Sequence, residues 1–151
     1  MKRFGIALAV VALAAMGLAA ATGSAATSDT LQLSAKLTTT KRLDAAPKGY
    51  SPGDRSLAAG TLVDTETNKK AGRILLDCVD MPAGTGECVL TFALPTGHLA
   101  VLASYGKGFS GGSSAHDPIV GGTGAYATAR GYTDEIETGE GKMRFTLHLE
   151  R

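Results

Sequence analysis

The residues able to do chemistry in this chain fall into a few short groupings. His98, His116 and His148 are its imidazoles. They stand far apart in sequence and His148 falls on the polar side of an alternating stretch, so a zinc site, which needs converging ligands, is not expected. His116 and Asp117 follow closely on Ser113 and Ser114. That order offers a nucleophile, a base and an orienting carboxylate. A Ser-His-Asp triad is a three-dimensional arrangement, however, and these residues are local and loop-borne, so surface roles are expected instead. Asp134, Glu135, Glu137 and Glu140 form an acidic run beside a turn and read as a solvated face. The segment Gly122 to Ala127 formally matches the G-x-G-x-x-A dinucleotide fingerprint. That fingerprint works only where a strand enters a helix N-terminus inside a βαβ unit, with an acid about 20 residues on. Here the residues that follow alternate like strands, so phosphate binding is not expected; a P-loop also fails, for want of a following Gly-Lys-Ser/Thr. The alternative is a tight glycine turn, one helical turn around Tyr126, and re-entry into a strand at Ala129.

Cys78 and Cys88 complete the inventory, and their chemistry depends on compartment. Residues 1–26 read as a secretory signal peptide: Lys2 and Arg3 supply the positive start, Ile6 to Ala21 the apolar run, and Ser24-Ala25-Ala26 a small-residue cleavage site. The alternative is an uncleaved anchor, since Phe4 to Ala21 approaches a bilayer-spanning length. Alanine and glycine make that run weakly apolar, so cleavage near Ala26, export and no stable membrane anchor are the expectation. No cysteine closely follows the run, which argues against a lipoprotein. In an oxidising compartment the two cysteines can pair. They flank Met81 to Gly86, a turn-rich stretch; a chain reversal about Ala83 sets them opposite each other on antiparallel strands, where a disulfide closes a short loop and contributes on the order of 3 kcal/mol. The alternative, a reactive thiol at Cys78, requires that residue to stay reduced.

Positioning these residues falls to strands, because the dominant period after residue 26 is two. Met143, Phe145, Leu147 and Leu149 alternate with Lys142, Arg144, Thr146, His148 and Glu150. Leu31, Leu33, Ala35 and Leu37 share one face of another strand, as do Ile74, Leu76 and Cys78, and Cys88, Leu90, Phe92 and Leu94. Further strands are expected at about Ser56 to Asp64, His98 to Tyr105, Ser114 to Val120 and Ala129 to Glu137. Parity places Phe92, Leu147 and Cys78 inside, and His148 and Lys142 in solvent. Turn signals such as Pro52-Gly53-Asp54, Pro95-Thr96-Gly97 and Gly139-Glu140-Gly141 separate the strands, and no run sustains a helical period. The fold class is therefore all-β, an eight-stranded antiparallel barrel over residues 27–151. Such a barrel closes its own edges and leaves an interior just wide enough to be filled or to hold one small ligand. Two connections are long. Thr40 to Gly53 reads as a solvated connection, with a lid over one barrel mouth as the alternative. Gly106 to Asp117, rich in glycine and serine, reads as mobile.

The stretch Pro118 to Tyr132, PIVGGTGAYATARGY, resembles the signature of plant dirigent proteins nearly position for position. Leu62-Val63-Asp64 and Ala71-Gly72-Arg73 look like two further elements of that family. Gly53-Asp54, Gly72, Cys78-Val79 and Gly97-His98-Leu99 follow the order of the related allene oxide cyclases. The resemblance spans Gly53 to Leu149 and implies a calycin-like barrel with an apolar cavity, often in dimers or trimers. For dirigent proteins it also implies acids that guide a reactive phenolic intermediate. Asp64 matches one such position, while Ala125 stands where another acid is often found. The glutamate and asparagine that allene oxide cyclases carry on their first strand have no counterpart in Leu31 to Thr38, nor has the first-strand His-Asp pair of dirigent proteins, so true allene oxide cyclase activity is not expected. The candidate ligand contacts are Asp64, Leu90, Phe92, Tyr126 and Arg130; for Arg130 an ion pair or hydrogen bond that fixes the turn is the alternative.

Composition excludes some partners. Of 15 basic and 14 acidic residues, Lys2 and Arg3 leave with the signal, giving 13 against 14 and a net of −1; no nucleic acid or anionic membrane is called for. Two functions from different classes remain. One is a secreted barrel that binds an apolar or phenolic small molecule and guides its cyclisation or coupling without a cofactor. The other is a non-catalytic exported module of the cell envelope or exterior, acting through its surface. An open cavity favours the first and a filled barrel the second.

Overall fold

The computed structural model describes residues 28–106 and 115–150. The signal-peptide reading, the candidate nucleophiles Ser113 and Ser114, and the core of the glycine- and serine-rich connection lie outside the described residues. Eight strands follow in order: β1 (Ser28–Leu43), β2 (Arg55–Asp64), β3 (Lys70–Met81), β4 (Thr85–Leu94), β5 (Gly97–Tyr105), β6 (Ala115–Gly122), β7 (Arg130–Gly139) and β8 (Lys142–Glu150). Each pairs antiparallel with the next, and β1 pairs with β8 to close the barrel. No helix among the described residues is long and apolar enough to cross a membrane.

Each strand expected from alternation is present, and the largest difference is at β1, which runs on to Leu43. Leu37 pairs with Gly60 but Thr39 with Ala59, so Thr38 is a bulge residue. A bulge resets the inside–outside parity, and from there Lys41 faces out and Arg42 in, which erases the hydrophobic period that a reading of the sequence follows. Cys78 and Cys88 are register partners on β3 and β4 and form the disulfide. The reactive-thiol alternative at Cys78 is thereby set aside, since neither cysteine is free.

The barrel has two unlike ends. The end formed by the β2–β3, β4–β5 and β6–β7 connections is filled by side chains. Phe92 and Phe145 meet edge to face with centroids 5.0 Å apart. Leu62, Ile74, Leu99, Val101 and Leu147 around them are fully buried. Lys142 is exposed as expected, whereas His148 is half-buried on the outer face, stacked on Tyr132 at 4.4 Å. The motif Gly121 to Ala129 seals this end. A short 3-10 turn (Gly124–Tyr126) tucks Tyr126 under the barrel with Ala129 beside it, both buried. Its backbone is spent on the β4–β5 turn: Thr123 N–H donates to His98 O and Ala125 N–H to Thr96 O, each at 2.9 Å. The approach is so close that a Cβ on Gly97 would lie 2.0 Å from Thr123 O. Gly124 adopts φ +60°, and a Cβ there would lie 2.3 Å from Thr96 O. The glycines thus permit backbone-to-backbone packing. Gly124→Ala is expected to lower stability by more than the roughly 1–2 kcal/mol of a left-handed L-residue alone, because the contact with Thr96 must also open. Urea denaturation measures this.

Candidate functional site

At the opposite end the barrel interior is open among the described residues. A cavity of about 160 Å³ lies between Leu76, Cys88, Leu90 and Met143 on its apolar side and Tyr105, Asp117 and Glu135 on its polar side. The two carboxylates reach it by register. Glu135 on β7 stands directly across from Phe145 on β8, and Asp117 on β6 across from Thr133 on β7. Phe145 and Thr133 are both fully buried, and directly paired residues on neighbouring strands share a face. Glu135 therefore faces in, which corrects the reading of the acidic run as a solvated face; the inside of β7 is polar, and its exposed apolar side chains are Tyr132 and Ile136.

The environment sets the chemistry. Burial, then the nearby charges of Asp117 and Glu137, push the Glu135 carboxyl up to about 7. Burial also raises Asp117, against a hydrogen bond from the Ser104 backbone and the proximity of His116. An apolar site makes the charged form of each acid costly, and two acids near each other cannot both ionise freely. Glu135 is thus a carboxyl that both holds and releases a proton near neutral pH, the property needed of a general acid or base.

A second polar group stands at the rim. Tyr105 donates a hydrogen bond to Asp80 Oδ1, and its own hydroxyl is raised by burial and by that carboxylate. Asp80 also accepts from Tyr50 Oη at 3.1 Å and from Arg42 at 3.0 Å. Arg42 continues to Asp54 at 2.7 Å and lies 4.3 Å over the Tyr50 ring. The connection Thr40 to Gly53, expected as solvated, thus begins as the end of β1 and is tied through Arg42 and Tyr50 to the rim of the open mouth. Asp54 is its anchor, fully buried and accepting from the Ala45 and Ser51 amides at 2.7 and 3.0 Å. Those backbone bonds hold its carboxyl down to about 2, from an ordinary 3.8. A depressed acid contributes stability above its unfolded pKa and loses it as pH falls through the folded one. The amide resonances of Ala45 and Ser51 are expected to stay in place down to pH 3 and to shift with a midpoint near pH 2, which NMR titration checks.

Among the sequence candidates, Leu90 lines the cavity. Phe92 is sealed within the filled half. Asp64 ends β2 at the closed end, where its Oδ1 accepts from the Glu66 and Thr67 amides and the Thr67 hydroxyl of the β2–β3 turn. Tyr126 and Arg130 are also at the closed end; Arg130 is exposed and donates to Ala129 O at 2.8 Å. The structure thus separates the five residues between two ends. Arg42, Asp80, Tyr105, Asp117 and Glu135 were missed. The usable signal was the clean alternation of β8, which fixes the parity of β7 once the two are paired. His116 and His148 flank Asp134 on the outer face at 2.7 and 2.9 Å, and among the described residues no cluster of His, Cys, Asp or Glu is placed to hold a metal.

Fold and site together define an antiparallel barrel, filled at one end, with a small acid-lined cavity at the other. No protein-family profile matches the chain, and no curated protein matches it in sequence. Solved structures do. A pyocyanin demethylase is similar with a TM-score of 0.67 at 22% identity, covering 80% of this chain and 99% of that one. A pterocarpan synthase dirigent protein is similar with a TM-score of 0.67 at 16% identity, over 94% of this chain and 99% of that one. A Diels-Alderase from Streptomyces koyangensis gives 0.66 at 18% identity, over 82% of this chain and 63% of that one. The chain has the fold of the dirigent and cyclase barrels, the architecture that the Pro118 to Tyr132 motif implied.

Proposed function

We propose that this protein is an exported barrel that takes one small apolar or phenolic molecule into its open end and exchanges a proton with it through Glu135, guiding cyclisation or isomerisation without a cofactor. The observation that carries this reading is a carboxyl held near pKa 7 in a cavity whose facing wall, Leu76, Cys88, Leu90 and Met143, is apolar. Size supports a single-ring ligand: the cavity is about 160 Å³, and a dry protein cavity of about 150 Å³ takes up benzene. Protonated Glu135 gives its proton to the ligand, and the carboxylate so formed recovers one from an acidic position of the same molecule. The cycle closes with no net change in protons or electrons. Tyr105, fixed by Asp80, orients a ligand oxygen at the rim, and Asp117 stabilises positive charge as it develops. Export is supported by the Cys78–Cys88 bridge, a bond typical of oxidising compartments, together with the signal-like residues 1–26. The similar solved structures include a demethylase, a dirigent protein and a Diels-Alderase, proteins whose names denote work on small molecules.

The test is calorimetric titration with single-ring phenols and with fatty acids. Phenols are expected to bind. Leu90→Asp should abolish that binding, because an unpaired carboxylate in the cavity wall imposes a desolvation cost of several kcal/mol, while Asp64→Ala at the closed end leaves it unchanged. Absence of binding, or binding indifferent to Leu90→Asp, would overturn the reading. The filled lower half of the barrel supports the other class, a non-catalytic exported module, and absence of binding would favour it.

A further inference from the structure

Basic and acidic residues nearly cancel in number, 15 against 14, but the fold sorts them. Asp54, Asp80, Asp117 and Glu135 gather at the open mouth. On the outer face of β8, β1, β2 and β3 the sheet register sets basic residues side by side. Arg73, Thr61, Lys36 and Lys142 form one outward row across these strands, and Lys70, Val63, Ser34 and Arg144 form the next. All five cations are exposed. None has an ion-pair partner among the described residues, and neither row holds a carboxylate. The adjoining acids on β2 and β3 are already engaged, Asp64 by the Glu66 and Thr67 amides and Asp77 by Arg55, while Glu66 and Glu140 stand in the flanking turns. Lys36 and Lys142 are direct cross-strand partners, and like charges placed directly opposite destabilise a sheet. A hollow of about 180 Å³ is lined by both lysines and by the hydroxyl-bearing Ser34, Thr61 and Thr138. Two ammonium groups held together at a cost to the isolated barrel, beside a hydroxyl-lined space, form an arrangement that an anion completes.

We propose that the outer face of β8, β1, β2 and β3 binds an anionic polysaccharide, with one anionic group seated in the hollow beside Lys36 and Lys142 and its neighbours along the polymer on Arg73, Lys70 and Arg144. Three features select this occupant. With strands about 4.8 Å apart the rows span roughly 14 Å from β3 to β8, so the cations match a polymer that repeats its anions better than one small ion. The hydroxyls of Ser34 and Thr61 stand among the cations, where they suit a chain that carries its own hydroxyls between its charges. The competing polyanions find no hold here. A nucleic acid would need aromatic platforms on which bases stack, and neither row contains an aromatic residue. A bilayer surface would need a large apolar side chain to insert, and none of the exposed ones lies in either row. The face is distinct from the open mouth, and this role goes beyond the reaction proposed for Glu135.

The test is fluorescence anisotropy of a labelled heparin oligosaccharide titrated with the full exported chain. Binding is expected, and it should weaken by about a hundredfold between 50 and 200 mM salt, the response to counterions released at about five contacts. Lys36→Gln combined with Lys142→Gln should weaken binding by about tenfold or more and flatten the salt dependence by about two charges. The denaturation midpoint of that variant should stay at or above that of wild type, because the like-charge contact is gone. Arg73→Gln, away from the lysine pair, should weaken binding as well, a readout that does not depend on how the double variant folds. Lys48→Gln, which removes one exposed charge from the segment between β1 and β2, should leave binding unchanged. Absence of binding at 50 mM salt, weakening by Lys48→Gln equal to that by the lysine pair, or indifference to both the lysine pair and Arg73→Gln would overturn the proposal. So would tighter binding of an oligothymidylate or of phosphatidylglycerol vesicles at the same salt, since either would make the face a surface for a nucleic acid or a membrane.

Discussion

Glu135→Gln is expected to be more stable than the wild-type protein above neutral pH and nearly equal to it at pH 4. The Glu135 carboxyl rises from an ordinary 4.5 to about 7 on folding. Between those values the folded chain keeps a proton that the unfolded chain has released, so stability falls as pH rises through this window. Below it both states are protonated and the group costs nothing; above it both are ionised and the full penalty stands. At 1.36 kcal/mol per pKa unit, and allowing for partial solvation, the penalty is on the order of 2–3 kcal/mol. Glutamine keeps the shape and removes the charge, so the difference between the two proteins should open across this window and then stay constant. Urea denaturation at pH 4, 6 and 8 measures it, and parallel curves would show that Glu135 is not desolvated. The same variant should lose proton exchange with a bound ligand while retaining its binding. Stability gained where function is lost is the expected signature of an acid held in an unfavourable place for chemistry.

How much of this was legible beforehand differs between the two ends of the barrel. The clean alternation of Lys142 to Glu150 is enough to place β8 and its buried face, and the Cys78–Cys88 spacing about a turn-rich stretch is enough to anticipate the bridge. The closed end announces itself through Gly121 to Tyr132, because glycines at close backbone approaches leave a strong mark on the sequence. That mark drew the candidate ligand residues Tyr126 and Arg130 to the end where the chain is sealed. The open end leaves no such mark. On β7 the inward positions are Gly131, Thr133 and Glu135, and Tyr132 and Ile136 point out, so a rule that turns apolar residues inward reads the strand backwards. Only the pairing of Glu135 with Phe145 corrects it, and pairing is a property of the assembled sheet. Arg42 and Asp80 were hidden for a related reason, since the bulge at Thr38 shifts one and the other lies beyond the alternating part of β3.

Replacing Cys78 and Cys88 together by alanine is expected to cost about 3 kcal/mol, by the chain-entropy estimate for a cross-link between residues ten apart. The loss should not be spread evenly. At the closed end Phe92, Phe145, Leu99 and Leu147 are fully buried, and their packing does not depend on the bridge. At the open end β3 and β4 finish in Asp80, Met81, Thr85 and Gly86 around a short turn (Pro82–Gly84) that buries no residue. There the cross-link replaces the apolar contact that these residues do not supply. Hydrogen exchange should therefore accelerate first at the tips of β3 and β4, while amides near Phe92 keep the protection of global unfolding. Because Cys88 lines the cavity beside Leu90, ligand affinity should fall with the same substitution, and reduction of the wild-type protein with dithiothreitol should reproduce both effects. Uniform acceleration across the barrel would mean that the bridge stabilises the fold as a whole. Unchanged affinity after reduction would mean that the cavity wall is held by the Arg42, Asp80 and Tyr105 network without help from the disulfide.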